Sequence, residues 1–307
     1  MKIKVNAFCL LLASWVLIPI TLAQTTQDGL MMPKGEVCVA VLYEHASWDR
    51  YWEGTYLRNN ANMGTFSRQS LSTMLVAGLG DHLNVFLSLP YVATTASGGQ
   101  LAGVAGLQDL SVAVKAKLIT KNISKGKLTG FSSLSFSTPA SNYLSDYLPF
   151  SLGMGANELS LRAIGLYEQG TGPYLRGSVA YLHRGTTIAE RDFYYNEGAY
   201  YTSVMDVPNA LTAQVALGSW LFENKLRIEA SFTSLRCASG DDIRIYAMPQ
   251  PTNKVDFNRI EGFAQYYFKA GEGLGLIGYY NHLVGGRNIG QFSGVGLGLT
   301  YQFKTVK

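Results

Sequence analysis

His82-Leu83-Asn84-Val85-Phe86-Leu87-Ser88-Leu89-Pro90-Tyr91 is the run whose reading decides the fold. Leu83, Val85, Leu87, Leu89 and Tyr91 share one face of an extended strand, and His82, Asn84 and Ser88 share the other, because successive strand side chains point to opposite sides. A period of two held over this length indicates a strand with one apolar face rather than a helix.

The same pattern recurs on both sides of this run. Leu110, Val112, Val114, Ala116 and Leu118 stand against Asp109, Ser111, Ala113, Lys115 and Lys117, and Leu226, Ile228, Ala230 and Phe232 against Arg227, Glu229, Ser231 and Thr233. Val295, Leu297, Leu299, Tyr301 and Phe303 stand against Gly294, Gly296, Gly298 and Thr300. Runs opening at Val37, Leu159 and Leu175 alternate likewise, and weaker ones lie near 67–79, 127–138, 209–221, 259–268 and 274–282. The sum is about twelve strands.

The connections set the topology. Gly80-Asp81 and the stretches 169–172, 222–225 and 269–273 are short and rich in turn residues; 120–126 is slightly longer. Between them fall long stretches at 46–66, 93–106, 139–156, 185–208, 238–258 and 284–290. Long and short alternate, as in an all-β, transmembrane, antiparallel up-and-down β-barrel with short periplasmic turns and long extracellular loops. A soluble sandwich or lipocalin-like barrel would bury the apolar face in a core. The charges on the opposite face, and a length beyond one eight-stranded barrel, argue against that.

Composition agrees. Only 15% of the 307 residues are charged, while Gly (33) and Tyr (19) are plentiful, as suits barrel walls and interfacial aromatic girdles. Lys2 and Lys4, the apolar stretch 8–20 and the small residues of Thr21-Leu22-Ala23 read as a secretory signal over 1–23, cleaved before Gln24. Its loss would lower the formal charge from +4 to +2, and no basic cluster suggests nucleic acid. Cys38 and Cys237 remain, at opposite ends of non-neighbouring strands, so no disulfide is expected.

The domain reading is a periplasmic N-terminal segment at 24–34, a barrel at 35–303 and a periplasmic tail at 304–307. Leu30-Met31-Met32 makes the N-terminal segment a candidate lumen plug.

Charges in a lipid-facing wall are costly, so the lumen is their expected place. The lumen-lining set is Glu44, Arg68, Asp109, Lys115, Arg162, Arg176, Arg227, Glu229, Arg259 and Glu261. In this reading Arg227 and Glu229 face Arg259 and Glu261, and Arg162 faces Arg176. Two interpretations stay side by side: a mildly anion-favouring constriction, and a filling of the lumen by ion pairs. Aromatic residues crowd the loops, with Trp48, Tyr51, Trp52, Tyr147, Tyr194 and Tyr195 as candidates for capturing an apolar ligand. An interfacial girdle, or loops packed on each other, would use the same residues.

The four histidines show no metal-binding spacing. His183 and His282 fall on the outward register near loop ends, where a Ser–His lipid hydrolase would place its base. No nucleophile-elbow pattern accompanies them. The expectation is a non-enzyme without cofactor or metal.

Gly80-Asp81-His82-Leu83-Asn84-Val85 leading to Leu89-Pro90-Tyr91 resembles a hairpin of outer-membrane proteins in the meta-pathway phenol-degradation family. Gly106-Leu107-Gln108-Asp109-Leu110 with Val114-Lys115-Ala116-Lys117, and Gly285-Gly286-Arg287-Asn288 with the end at Tyr301-Gln302-Phe303, are similar to further parts of that family. The resemblance implies an outer-membrane channel or transporter associated with uptake of aromatic or other hydrophobic compounds. It carries no catalytic residues. Tyr301-Gln302-Phe303 also resembles the aromatic-ended signal read by the barrel-assembly machinery, although Lys304 to Lys307 follow the Phe. The expectation is a monomeric channel in the bacterial outer membrane, with membrane lipid, a small-molecule solute and the assembly machinery as partners. A sealed structural or surface-binding barrel is the alternative, and a lipid-modifying enzyme the third reading.

Overall fold

The computed structural model describes residues 24–170, 172–244, 248–268 and 273–305. Residues 1–23, read from the sequence as a secretory signal, most of the turn at 269–273 and residues 306 and 307 lie outside them. Long strands follow one another, and the barrel strands alone are numbered: β1 (Glu36–Trp48), β2 (Phe66–Gly80), β3 (Leu83–Ala96), β4 (Asp109–Ile123), β5 (Gly126–Pro139), β6 (Glu158–Gln169), β7 (Pro173–Arg184), β8 (Ala210–Leu221), β9 (Leu226–Cys237), β10 (Asp256–Tyr267), β11 (Leu274–Arg287) and β12 (Ser293–Lys304).

Each strand is antiparallel to the next. β1 pairs β12 from Glu36↔Lys304 to Ser47↔Ser293 and closes the sheet. Closure leaves no unpaired edge, the condition for a sheet to sit in hydrocarbon. Lys304 is therefore a barrel residue, one place beyond the boundary read at 303.

The two faces invert the order of a soluble protein. Leu161, Leu217 and Leu297 are 59%, 63% and 59% exposed, whereas Lys115, Arg176 and Arg227 are only 0%, 3% and 5% exposed. An apolar outside around a charged inside suits lipid, not water. The described residues contain no helix.

Short turns gather on one rim. Between β4 and β5 the turn is only Ser124-Lys125, with Ser124 at φ 51°, because the ladder continues through Asn122↔Lys127 and Ile123↔Gly126. Residues 120–123, read as part of a longer turn, are thus strand. Their alternation is masked by a register shift between Lys117 and Ile119.

The opposite rim carries the long loops, which build their own small structures. Arg50–Glu53 pairs Tyr56–Asn59, Thr186–Ile188 pairs Val204–Asp206, and Tyr194–Tyr195 pairs Ala199–Tyr200. Ala105–Leu107 extends the sheet along β3. Cys38 and Cys237 are buried free thiols, near the short-turn rim and the loop rim respectively.

The chain enters β1 through Gly35 at φ 74°, whose amide donates to Gly78 O at 2.9 Å. Of residues 24–34, read as a periplasmic segment that could dip into the lumen, those up to Met32 lie against the inner wall. Met32 packs with Cys38, Val76, Phe86 and Ala113, and Met31 with Phe131, Ile164, Leu166 and Tyr174. Gly78 makes room for this passage: a Cβ there would come within 2.1 Å of Pro33 O.

Candidate channel site

Three layers occupy the barrel from the short-turn rim outward: a floor formed by the N-terminal segment, a charged chamber and a vestibule beneath the loops.

The floor is tied to the wall by one lysine. Lys115 Nζ donates to Asp28 Oδ1 at 2.8 Å, Thr25 O at 2.9 Å and Asp28 O at 3.0 Å, using its three hydrogens. The side chains of Lys115 and Asp28 are 0% and 4% exposed. The ammonium also lies 5.6 Å from the Phe86 ring centre and 5.7 Å from that of Phe131. Ser133 Oγ donates to Thr26 O at 3.1 Å, and Arg176 Nη1 to Gln27 O at 2.6 Å. The Asn84 amide is within hydrogen-bonding reach of Gln24 and of the Met32 backbone. These bonds satisfy backbone groups that have no strand partner.

The chamber above measures about 430 Å³. Glu229 joins two arginines across its wall, accepting from Arg176 Nη2 at 2.5 Å and from Arg227 Nη2 at 2.9 Å. The Tyr174 hydroxyl accepts from Arg227 Nε and donates to Glu229 Oε2, both at 2.9 Å. Gly218 on β8 permits this reach from β7 to β9, since a Cβ there would sit 2.3 Å from the Tyr174 ring. Arg259 and Glu261 approach to 3.6 Å. Glu44 accepts from the Tyr279 hydroxyl at 2.9 Å and from Asn281 Nδ2 at 3.3 Å. Gln265, 0% exposed and lining the chamber, has both amide atoms unpartnered.

The register corrects two facings. Arg162 stands opposite Ala180, and Arg176 opposite Leu166. Arg227 and Glu229 stand opposite Gln265 and Phe263, and Arg259 and Glu261 opposite Thr233 and Ser231. Parity assigns a residue to a face, but its height in the wall depends on register. For β9 and β10 that register is set across a long loop. Arg162 instead donates from Nη1 to Ser178 Oγ at 3.1 Å.

The vestibule has a volume of about 950 Å³. Trp48, Phe66, Leu152 and Phe292 supply apolar walls. The loop after β5 folds into the mouth, where Phe150 is 0% exposed and meets Phe66 edge-on at 5.4 Å. Thr94 Oγ1 donates to Phe150 O at 2.9 Å. The Tyr143 hydroxyl donates to Asp109 Oδ1 at 2.5 Å. Burial first, then the Asp109 carboxylate, holds the Tyr143 phenol above its ordinary range, so it stays a proton donor. Another loop is braced by Asp241, which accepts from Thr252 and Asn253. Burial pushes the Asp241 carboxyl up, and those hydrogen bonds oppose the shift.

Arg68 lies where vestibule and chamber meet. It lines the vestibule, while Glu44, one inward position lower on the neighbouring strand, lines the chamber. Arg68 Nη2 donates to Gln108 Oε1 at 2.9 Å, and its buried Nε has no partner.

The loop aromatics divide. Trp48 and Tyr51 face the vestibule. Trp52 is buried over Gly286, where a Cβ would meet its ring at 2.4 Å. Tyr147 packs on Phe150 at 5.5 Å and donates to Ala102 O at 2.9 Å. Tyr194 is buried against Ala189 and Met205 and stacked on Tyr200 at 5.1 Å. Tyr195 is exposed at 42%. Trp52 and Tyr194 are therefore unavailable for capture, because the small loop hairpins use them as cores. Sequence reading passed over Tyr174, Gln214, Gln265, Tyr279 and Asn281 in the lumen, although the parity of their strands places them there. For Asp28 no sequence signal existed.

On the outward register His282 Nδ1 lies 2.8 Å from Ser293 Oγ. The hydrogen bonds of the described residues bring no carboxylate to this pair, and His183 is exposed. Among the described residues no three His, Cys, Asp or Glu side chains gather as a metal site.

No family model and no curated protein matches the chain. It is similar in structure to the COG4313 outer membrane channel from Pseudomonas putida F1, with a TM-score of 0.72 and 15% identity over 92% of this chain and 100% of that one. It is also similar to the translocator domain of autotransporter NalP from Neisseria meningitidis (TM-score 0.45, 14% identity, 88% of each chain). A NanC porin structure is a further neighbour (TM-score 0.46, 8% identity, 85% of this chain and 98% of that one). The first likeness shows the fold, that of an outer-membrane β-barrel.

Proposed function

We propose that the protein is an outer-membrane channel for passive uptake of small solutes, with hydrophobic or aromatic compounds as the favoured class. The carrying observation is the sequence of spaces inside the wall: an apolar-sided vestibule, a charged chamber, and a floor held by Lys115. The vestibule would collect solute from outside. The chamber would offer water and hydrogen bonds to its polar part, with Gln265 supplying an unpartnered donor and acceptor. The floor would set the resting conductance. Catalysis is not needed for this work. The phenol-degradation resemblance and the solved outer membrane channel of like fold support the reading.

The buried floor also favours a second reading, a sealed barrel whose loops bind a partner. Swelling of liposomes containing the purified protein, in isotonic solutions of small sugars and amino acids, separates the two. The channel reading expects swelling that slows with solute size. Folded protein that gives none for any solute would favour the sealed barrel.

A further inference from the structure

We infer that the vestibule recognises a small monocarboxylate with an apolar body, the carboxylate seated on Arg68 and the body against the aromatic wall. This deepens the channel reading and rests on it for biological meaning.

Charge in the two spaces is distributed differently. Among the described residues that line the vestibule the charged ones are Arg58, Arg68, Arg244 and Glu53. Glu53 is held by Arg58 at 2.7 Å, and among the described residues no carboxylate forms an ion pair with Arg68 or Arg244 within 4.0 Å. The lower chamber differs: Glu229 and Glu261 pair with its arginines, and Asp28 pairs with Lys115. An anion entering from the loops therefore meets Arg68 and Arg244 before it reaches the ion pairs of the chamber.

Arg68 is also placed for recognition. Its Nε is buried and unpartnered, and only Nη2 has a protein acceptor, the neutral Gln108 amide. Arg68 is half-buried, and a sealed guanidinium N–H without an acceptor is costly. A carboxylate matches the planar fork with two charge-assisted bonds. Glu44, the acid one level down, accepts from Tyr279 and Asn281, and it and Asp109 act on the Arg68 charge from a distance without a hydrogen bond to it. Phe66 lies one inward position above Arg68 on β2, and Trp48, paired with it in register, stacks on it at 5.3 Å. An apolar group bound to Arg68 through its carboxylate would thus extend along rings. The volume of about 950 Å³ exceeds the needs of one such molecule and its waters.

Benzoate and its neutral isostere benzamide test the inference by calorimetric titration of the purified full-length mature barrel in nonionic detergent at neutral pH. Wild type should bind benzoate at least about ten-fold more tightly than benzamide, as expected for a hydrogen bond to a charged group. Arg68→Gln should remove that preference by weakening benzoate far more than benzamide, and Arg68→Lys should restore part of it. Heat-modifiable gel mobility shows whether each variant is folded. Equal binding of the two ligands by wild type, no benzoate binding, or an Arg68→Gln barrel that retains the preference would overturn the assignment. Conductance is read separately. Benzoate preference in a barrel that never conducts would remove the channel reading and keep this site, whereas a conducting barrel without preference would do the reverse.

Discussion

Lys115 on β4 and Asp28 of the N-terminal segment form an ion pair of 2.8 Å that is sealed from water on both sides. It joins the segment before β1 to a wall otherwise complete without it. A buried pair contributes little net stability compared with an apolar filling, but removing one partner strands the other charge at about 3–5 kcal/mol.

Lys115→Met and Asp28→Asn should each loosen the floor without opening the sheet. Protease added to solubilised barrels should then cut within residues 24–34 faster than in wild type, while the barrel keeps its heat-modifiable mobility. Combining the two changes should recover part of the protection, since no charge is then stranded. Equal protection in wild type and both single variants would show that the methionine contacts hold the floor.

Gly296 makes room for the Tyr279–Glu44 bond, because a Cβ on Gly296 would come within 2.2 Å of the Tyr279 ring. Gly296→Val should push the ring off the wall and break its bond to Glu44. The expected destabilisation is about 1–3 kcal/mol, seen as a lower temperature for loss of the folded gel band. Tyr279→Phe removes only the hydroxyl and should cost about 1 kcal/mol. A smaller loss in the Gly296 variant than in the Tyr279 variant would contradict this role for the glycine.

Asp242, in the loop between β9 and β10, accepts from Arg287 Nε and Nη2, both at 2.7 Å. Those hydrogen bonds, with a further one from Asn288, hold its carboxyl below the ordinary value of 3.8. A depressed carboxyl stabilises the folded loop at pH above the unfolded value, and that contribution disappears as pH falls through the folded one. Acidification below about pH 4 should therefore release the loop, with faster proteolysis at neighbouring sites. Asp242→Asn should lack this step. A wild-type loop equally protected at pH 3 and pH 7 would contradict the assignment.

The two faces of the wall were legible because lipid and lumen impose opposite chemistry on alternate residues. Leu83 to Tyr91 announce an outward face, and the parity of Arg176 and Glu229 announces an inward one. Height was not legible. Arg162 stands opposite Ala180 rather than Arg176 because register comes from turn geometry and bulges, which leave little trace in composition. Loop packing was hidden for a related reason. Trp52 and Tyr194 read as exposed capture residues, yet each is buried within a loop hairpin whose strands are only two to four residues long. Met31 and Met32 marked the N-terminal segment as sticky, but its partner Lys115 lies on a strand distant in sequence.

Whether the N-terminal floor limits passage is decided by single-channel recording in planar bilayers, comparing the protein with its floor intact and a form lacking residues 24–33. Small or gated steps are expected with the floor in place, and clearly larger, steadier steps once it is removed. Folded barrels that stay silent in both forms, or that conduct equally with and without the floor, would contradict this expectation.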